Sequence, residues 1–290
     1  DADGNTELTY ACAAGDLAKV VSLLRAGMNP NTSNQFGDGP LIYACANGHS
    51  RVVAAMLANG ADPRVTNRDG ESPLHYSALV GDDLRAQMLI ERGADVNCPG
   101  FYRYTPLHNA VWRRQPVLVM RLLRAGADPN ALTAEGFTAL HLACTAPSTG
   151  EGPAGMDIIA PLLAANADVR IPESKEGALP AHLYARTANP KALEVLLRAY
   201  HALFEGLGEP IPVVDCKGLT VLHYAAAAGN SSAVAFLISW PPALWPCISV
   251  DARTLPSAGS RTALHLAALS KSVETVRLLV EQGHADPNLR

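Results

Sequence analysis

The chain has 290 residues, of which 48% are apolar and 17% charged, so it can bury a large hydrophobic core. Its net charge of −4 and pI near 6.1 argue against general electrostatic attraction to nucleic acid or to acidic membranes. No apolar run approaches the ~18 residues of a membrane span, and no leader pattern is visible. The six cysteines never come closer in sequence than Cys216 and Cys247, which excludes a CxxC pair and favours reduced thiols. We therefore expect an intracellular, cytoplasmic protein, and a nuclear location stays open.

A six-residue block recurs along the chain and predicts a repeat architecture. Five copies begin 33 residues apart, as TELTYA from Thr6, GPLIYA from Gly39, SPLHYS from Ser72, TPLHNA from Thr105 and TALHLA from Thr138. Weaker copies follow from Leu179, Thr220 and Thr262. Downstream of each block, segments such as VVSLLRAGMNPN and LVMRLLRAGADPN carry the i, i+3, i+4 apolar spacing of one helical stripe. Each unit is therefore predicted to contain a helix, a turn, a second helix and a polar loop.

Residues at the predicted helix ends agree with these assignments. Thr105 can cap a helix whose first turn contains Pro106, where the missing N–H costs nothing. Glycines stand where both helices of a repeat should end in a left-handed residue. They are Gly15, Gly48, Gly81 and Gly229 after first helices, and Gly27, Gly60, Gly93 and Gly126 after second helices.

The TPLHxA block, the glycine that follows it and the closing GADxN motif resemble those of the ankyrin repeat family. The resemblance covers essentially all 290 residues in eight units. It implies an all-α solenoid of stacked helix pairs, in which projecting hairpin loops and first helices line a concave face. We expect a single solenoid over residues 1–290. Because neither end shows a polar capping repeat, we expect it to be part of a larger protein, or to be capped by residues outside this sequence.

Three segments lengthen the period and are predicted to be surface loops. They are residues 145–155, 203–212 and 241–258, which stretch the later spacings to 41 or 42 residues. Long loops carry function more often than short ones, but neutral loop growth is the favoured interpretation of these segments. The sequence assigns no role to them.

The residue types that could do chemistry are predicted to be structural. The histidines at 75, 108, 141, 182, 223 and 265 share one position of the block, which in this family bonds to backbone groups. Cys12, Cys45 and Cys144 fall at a crowded packing position. No phosphate-binding glycine loop, GxSxG or HExxH motif occurs. We expect no enzyme activity, no catalytic or metal-binding residue and no cofactor.

Asn97 and Asn130 occupy the closing GADxN position. In the family this asparagine normally braces the hairpin backbone. Asparagines there also resemble those that an asparaginyl hydroxylase modifies in some ankyrin proteins. Hydroxylation at Asn97 and Asn130 is therefore a second expectation beside the structural one.

The fourth repeat carries aromatic residues and arginine at the positions where this family usually contacts partners. These are Phe101, Tyr102, Tyr104, Trp112 and Arg113, with Phe36, Arg68 and Phe137 at matching positions of other repeats. Aromatic and arginine side chains are enriched at interface hot spots. Sideways packing of the rings on adjacent hairpins is the alternative, and contact with nucleic acid is disfavoured by the acidic neighbours.

The fourth repeat also departs from the glycine pattern. Arg103 and Arg114 stand where the hairpin and the first helix normally have glycine. A non-glycine residue at positive φ costs about 1 kcal/mol, so a hairpin of another shape stays open.

The sequence therefore predicts a non-enzymatic scaffold or adaptor that binds another protein around repeats two to five, with no nucleic acid or membrane partner. Three other roles fit the same repeats. They are the substrate-receptor arm of a ubiquitin ligase, a structural element of a multi-subunit cytoskeletal or ciliary assembly, and regulatory repeats attached to an enzyme or channel domain.

Overall fold

The computed structural model describes residues 1–145, 156–187, 190–203, 213–240 and 249–289. These residues contain sixteen α-helices and two short 3-10 turns, and no β-strand. The chain divides into two compact units, Asp1–Ala134 and Glu135–Arg290. The three predicted insertions fall largely outside the described residues, which omit 146–155, 204–212 and 241–248. One continuous solenoid over residues 1–290 stays a prediction.

The first unit contains two helices for each of repeats one to four. They are α1 Glu7–Ala14, α2 Leu17–Arg25, α3 Pro40–Ala46, α4 Ser50–Ala58, α5 Pro73–Val80, α6 Asp83–Glu91, α7 Pro106–Trp112 and α8 Pro116–Arg124. The first helices pack on one another in the order α1, α3, α5, α7, and the second helices in the order α2, α4, α6, α8. The unit is therefore two layers of helices, in which each repeat supplies one helix to each layer.

The second unit has the same arrangement for repeats five to eight. Its helices are α9 Ala139–Thr145, α10 Met156–Ala164, α11 Pro180–Ala185, α12 Pro190–Ala202, α13 Val221–Ala227, α14 Ser231–Ser239, α15 Ala263–Leu269 and α16 Val273–Glu281. Helices α9, α11, α13 and α15 pack in sequence, as do α10, α12, α14 and α16. The predicted all-α architecture of paired helices is therefore confirmed.

The apolar stripes of the second helices form much of the core between the layers. Val119 and Leu122 of α8 are fully buried, as Leu196 and Leu197 of α12 are. In α16, Leu278 and Leu279 are buried, whereas Val280 is exposed. Among the described residues α16 has a second-helix neighbour, α14, on one side only, which leaves Val280 uncovered.

The histidines of the repeated block cap the first helices, and four of them also bond to a carbonyl oxygen further along the chain. Nδ1 of His108 accepts the backbone N–H of Thr105 at 3.0 Å, so Nε2 carries the proton and faces the carbonyl oxygen of Ala131 at 3.1 Å. Matching bonds from Nε2 of other repeats reach the carbonyls of Tyr104, Ala178 and Arg261. The predicted structural role of these histidines is therefore confirmed, and burial lowers the pKa of His75, His141 and His182 to about 4.

The predicted left-handed helix ends and buried cysteines are also present. Gly15 and Gly81 end α1 and α5 at φ values of 74° and 79°. Cys12 and Cys45 are fully buried, and burial raises the pKa of each thiol to about 12. Such thiols stay protonated at neutral pH and pack as small apolar groups.

Candidate functional site

Backbone hydrogen bonds join the loops of successive repeats in the first unit. The donors and acceptors are Gln35 N–H to Asp3 O (2.8 Å), Arg68 N–H to Phe36 O (2.9 Å) and Ala134 N–H to Tyr102 O (2.8 Å). Between the third and fourth repeats a side chain replaces this bond, because the N–H of Phe101 donates to Oε1 of Glu71 at 3.1 Å. The repeat-four loop, residues 100–104, is therefore attached to its neighbour differently from the other loops.

The repeat-four loop also lacks the asparagine that braces the loops before it. Oδ1 of Asn67 accepts two N–H groups of its own loop, and Nδ2 donates to the hydroxyl of Tyr76 at 3.3 Å. Asn34 and Tyr43 make the same contact in repeat two. In repeat four the matching residues are Gly100 and Asn109.

Close packing explains why a glycine stands at position 100. A Cβ atom there would lie 2.8 Å from Oε1 of Glu71 and 2.9 Å from Nε2 of His75, closer than real Cβ contacts. Glu71 therefore takes over the anchoring of the repeat-four loop, and burial raises the pKa of its carboxyl group.

Without the asparagine brace, the repeat-four loop adopts a strained backbone. Phe101–Arg103 forms a 3-10 turn in which Tyr102 and Arg103 have φ values of 49° and 61°. Arg114, after α7, is left-handed at a φ of 52°. Both alternatives in the sequence expectation are realised, since Arg103 has a positive φ and the loop also changes shape. Each such residue costs on the order of 1 kcal/mol.

Three aromatic side chains of repeat four project into solvent. Phe101 is 54% exposed, Tyr102 62% and Trp112 39%. The rings of Phe101 and Tyr102 meet edge to face with centroids 4.2 Å apart. Arg113, also exposed, donates from Nε to the carbonyl oxygen of Leu79 at 2.8 Å and so links the ends of α7 and α5. We call Arg68, Phe101, Tyr102, Arg103, Trp112 and Arg113 the aromatic–arginine surface.

The remaining predicted contact residues are placed less uniformly. Phe36 is exposed on the loop that hydrogen-bonds to the loop of Arg68. Tyr104 is half-buried, and the centroids of its ring and the His108 ring are 5.7 Å apart. Phe137 belongs to the second unit, where it is half-buried with its ring centroid 5.8 Å from that of His141. Tyr104 and Phe137 therefore lie against structural histidines and offer less surface than Phe101 or Tyr102.

Carboxylates around the aromatic–arginine surface are mostly engaged in other contacts. Oδ1 of Asp38 accepts from Nδ2 of Asn67 at 2.9 Å, and Oδ2 of Asp83 accepts from Nη2 of Arg121 at 2.7 Å. By contrast, Arg68, Arg103 and Arg113 form no ion pair with any part of the chain that the structure describes. These guanidinium groups are exposed, and no carboxylate of the described residues lies within ion-pair distance of them.

The sequence matches models of ankyrin repeats over most of its length. A model of three ankyrin repeats covers residues 8–100 and 182–290, and a model of many repeats covers residues 89–148. The chain belongs to the ankyrin repeat family. Ankyrin repeats are generally protein–protein interaction modules and are typically not enzymes. No curated protein matches this sequence.

Asn97 of this ankyrin repeat protein braces two neighbouring repeats. Its Nδ2 donates to the carbonyl oxygen of Gly126 at 3.0 Å, and its Oδ1 accepts from the N–H of Asp128 at 2.7 Å. The exposed Asn31 makes the same pair of contacts two repeats earlier. The bracing role is confirmed for Asn97, and hydroxylation of Asn97 and Asn130 stays a prediction.

The described part of this ankyrin repeat protein contains His, Cys, Asp and Glu residues, which are the potential metal ligands and nucleophiles. It contains no group of three or more His, Cys, Asp or Glu side chains that could hold a metal ion. Burial raises the pKa of the Cys98 thiol, which makes it a poor nucleophile. Within the same ranges, no helix has both the length and the apolar character that a membrane span requires.

The part played by Glu71 and Gly100 was not predicted from the sequence. Two local signals could have indicated it, namely glycine where repeats two and three have a loop asparagine, and Asn109 where they have a tyrosine. Both members of one contact change together in repeat four, which is the pattern expected when a contact is replaced.

Proposed function

We propose that this ankyrin repeat protein is a non-enzymatic scaffold or adaptor that binds a partner protein through the aromatic–arginine surface. The observation that carries the proposal is the exposure of Phe101 and Tyr102 on a loop with two consecutive left-handed residues. Exposed rings offer a large apolar area with few rotatable bonds, and backbone strain concentrates at ligand-binding loops. Loop residues and the ends of the first helices are the positions at which this family usually contacts partners, which supports the proposal.

The surface has the composition of an interface centre. Trp, Tyr and Arg dominate measured hot spots, and a few such residues carry most of the binding energy. Trp112 and Arg113 follow each other at the end of α7, where Arg113 is held by Leu79. A side chain that is already held loses less conformational entropy on binding.

The proposal places the partner on repeats two to four and includes Phe36 as a peripheral contact. Contact with repeat five through Phe137, in the second unit, stays a prediction. A cytoplasmic location is part of the proposal and is supported by the free thiols of Cys12, Cys45 and Cys144, all of which are buried.

The test uses a partner identified by crosslinking of the native complex. The double variant Tyr102→Ala/Trp112→Ala should lose at least about 2 kcal/mol of binding free energy, measured by titration calorimetry. The matched control is Leu84→Ala/Val117→Ala. It removes two exposed apolar side chains that lie outside the aromatic–arginine surface, Leu84 of α6 (59% exposed) and Val117 of α8 (57% exposed). Unchanged affinity for the first variant, with circular dichroism showing it folded, would rule out this surface.

A further inference from the structure

The charge of the aromatic–arginine surface is opposite to that of the whole chain. The chain carries a net charge of −4, yet this surface includes Arg68, Arg103 and Arg113, and Arg114 follows Arg113 in the sequence. The loops of Arg68 and Arg103 are joined by the bond from Phe101 to Glu71. Asp69 is the exposed carboxylate that follows Arg68 in the loop. A local excess of positive charge on an acidic protein favours the binding of a short anionic group at that place. The negative charge of the rest of the protein disfavours a long polyanion that would extend beyond it.

Apart from Asp69, which offsets the charge of Arg68, the neighbouring carboxylates are engaged in other contacts. Glu71 accepts from the N–H of Phe101, and Asp82 contacts the buried Arg85 with Oδ2 and Nε 3.2 Å apart. Each of these acidic groups is committed to holding the fold. The exposed guanidinium groups of Arg103 and Arg113 therefore keep donors for an external acceptor.

Arg103 occupies a position that the fold would give to glycine. The matching residues in repeats two, three and five are Gly37, Gly70 and Gly136, with φ values of 83°, 80° and 79°. The side chain of Arg103 makes no hydrogen bond, ion pair or ring contact within the described residues, so nothing there offsets its strain. Strain that no internal contact offsets points to an external one.

We infer that the segment bound at the aromatic–arginine surface is an acidic stretch of polypeptide. Its carboxylates pair with Arg103 and Arg113, and an adjacent apolar side chain packs against Tyr102 and Trp112. The guanidinium fork matches a carboxylate through two parallel hydrogen bonds, which are stronger than neutral ones. This inference rests on the proposed function and names the chemistry of its partner.

A nucleic acid fits the same surface less well. Binding of a single strand uses a basic track along the backbone and rings that offer open faces to successive bases. Here the positive charge is confined to adjacent loops and one helix end. The ring planes of Phe101 and Tyr102 meet at 70°, edge to face, so the two rings do not form a stacking platform. The net negative charge of the chain opposes a long polyanion.

The test selects binders from a displayed library of random dodecamer peptides on the full chain. Binders that depend on the surface are those lost with Tyr102→Ala/Trp112→Ala, and we expect them to be enriched in Asp and Glu. Surface-dependent binders that are neutral or basic would overturn the acidic-segment inference and leave the proposed function standing. Finding no surface-dependent binder would count against both.

A selected peptide is then titrated against single variants. Arg103→Gly should weaken binding about fivefold to tenfold while the protein unfolds at the same or a higher temperature, because the strain at this residue is relieved. Arg124→Ala removes the same charge from an exposed site on α8 and should leave affinity unchanged. Replacing Glu and Asp of the peptide by Gln and Asn should weaken binding at least as much as Arg103→Gly does.

Two results of this titration would overturn the inference. One is equal affinity for the acidic peptide and its amide counterpart. The other is tighter binding of an oligodeoxythymidine with the same number of negative charges, which would assign the surface to nucleic acid.

Discussion

Asn109 shows what one changed residue does inside a repeat. It is 6% exposed and its Nδ2 has no hydrogen-bond partner among the described residues. In repeats two and three, the matching residues Tyr43 and Tyr76 contact the loop asparagine that repeat four lacks. A buried polar group without a partner costs about 1–3 kcal/mol. The altered loop of repeat four therefore lowers the stability of the fold twice, through the strained loop backbone and through the unpaired amide of Asn109 in α7.

We predict that Asn109→Leu stabilises the protein. Leu142 occupies the matching position of repeat five and is buried, so leucine suits the site. The free energy of unfolding, measured by urea denaturation, should rise by about 1–3 kcal/mol. The control is Asn67→Leu, which removes a satisfied asparagine and should lower stability. A fall for Asn109→Leu would mean that the amide is satisfied.

At the scale of elements, Arg85 connects helices of neighbouring repeats through the core. It is 1% exposed on α6, and its Nη1 donates to the carbonyl oxygen of Cys45 in α3 at 2.9 Å. Its Nε lies 3.2 Å from Oδ2 of Asp82. Val52 and Leu118 fill the matching place in repeats two and four. A buried charge of this kind needs its partners, because removal of one partner leaves the other charge uncompensated.

We predict that Arg85→Ala lowers the free energy of unfolding by about 3–5 kcal/mol, since it leaves a cavity and an unpaired Asp82. The double variant Arg85→Leu/Asp82→Ser should be close to the unchanged protein, because Ser272 already caps α16 in the same way. Chemical denaturation measures both. A double variant as unstable as the single one would show that the hydrogen bond from Arg85 to Cys45, which leucine cannot make, holds the two repeats together.

At the scale of the whole molecule, buried histidines make stability depend on pH in both units. His75 lies in the first unit, and His141 and His182 lie in the second, each with a pKa lowered to about 4 by burial. In the unfolded chain their pKa returns to about 6.5. Between these values the unfolded state binds more protons than the folded state, so stability is present above pH 6.5 and is lost as pH falls towards 4.

We predict that lowering the pH from about 7 to about 5 costs on the order of 2 kcal/mol for each of these histidines. The variant His75→Thr should be less stable at neutral pH but lose less stability on acidification. Threonine suits the position because Thr9 fills it in repeat one, where its Oγ1 accepts from the N–H of Thr6. Urea midpoints at the two pH values measure the difference. Equal losses for both proteins would contradict the assignment.

The helices, their caps and the histidine bonds within each cap could be predicted because they depend on residues of one repeat. Thr105 and His108 are three residues apart and form one capping box, whatever lies beyond them. The glycines after the first helices end them for the same local reason. A period of 33 residues therefore places most of the fold before the structure is known.

The shape of the repeat-four loop, the half-burial of Tyr104 and the burial of Arg85 depend on contacts between repeats. Oε1 of Glu71 reaches Phe101 thirty residues further along the chain, and Arg85 reaches Cys45 forty residues back. No local pattern encodes such distances, because the partner is set by how neighbouring repeats stack. The sequence thus indicates which residues of repeat four are unusual, and stacking determines which of them face solvent.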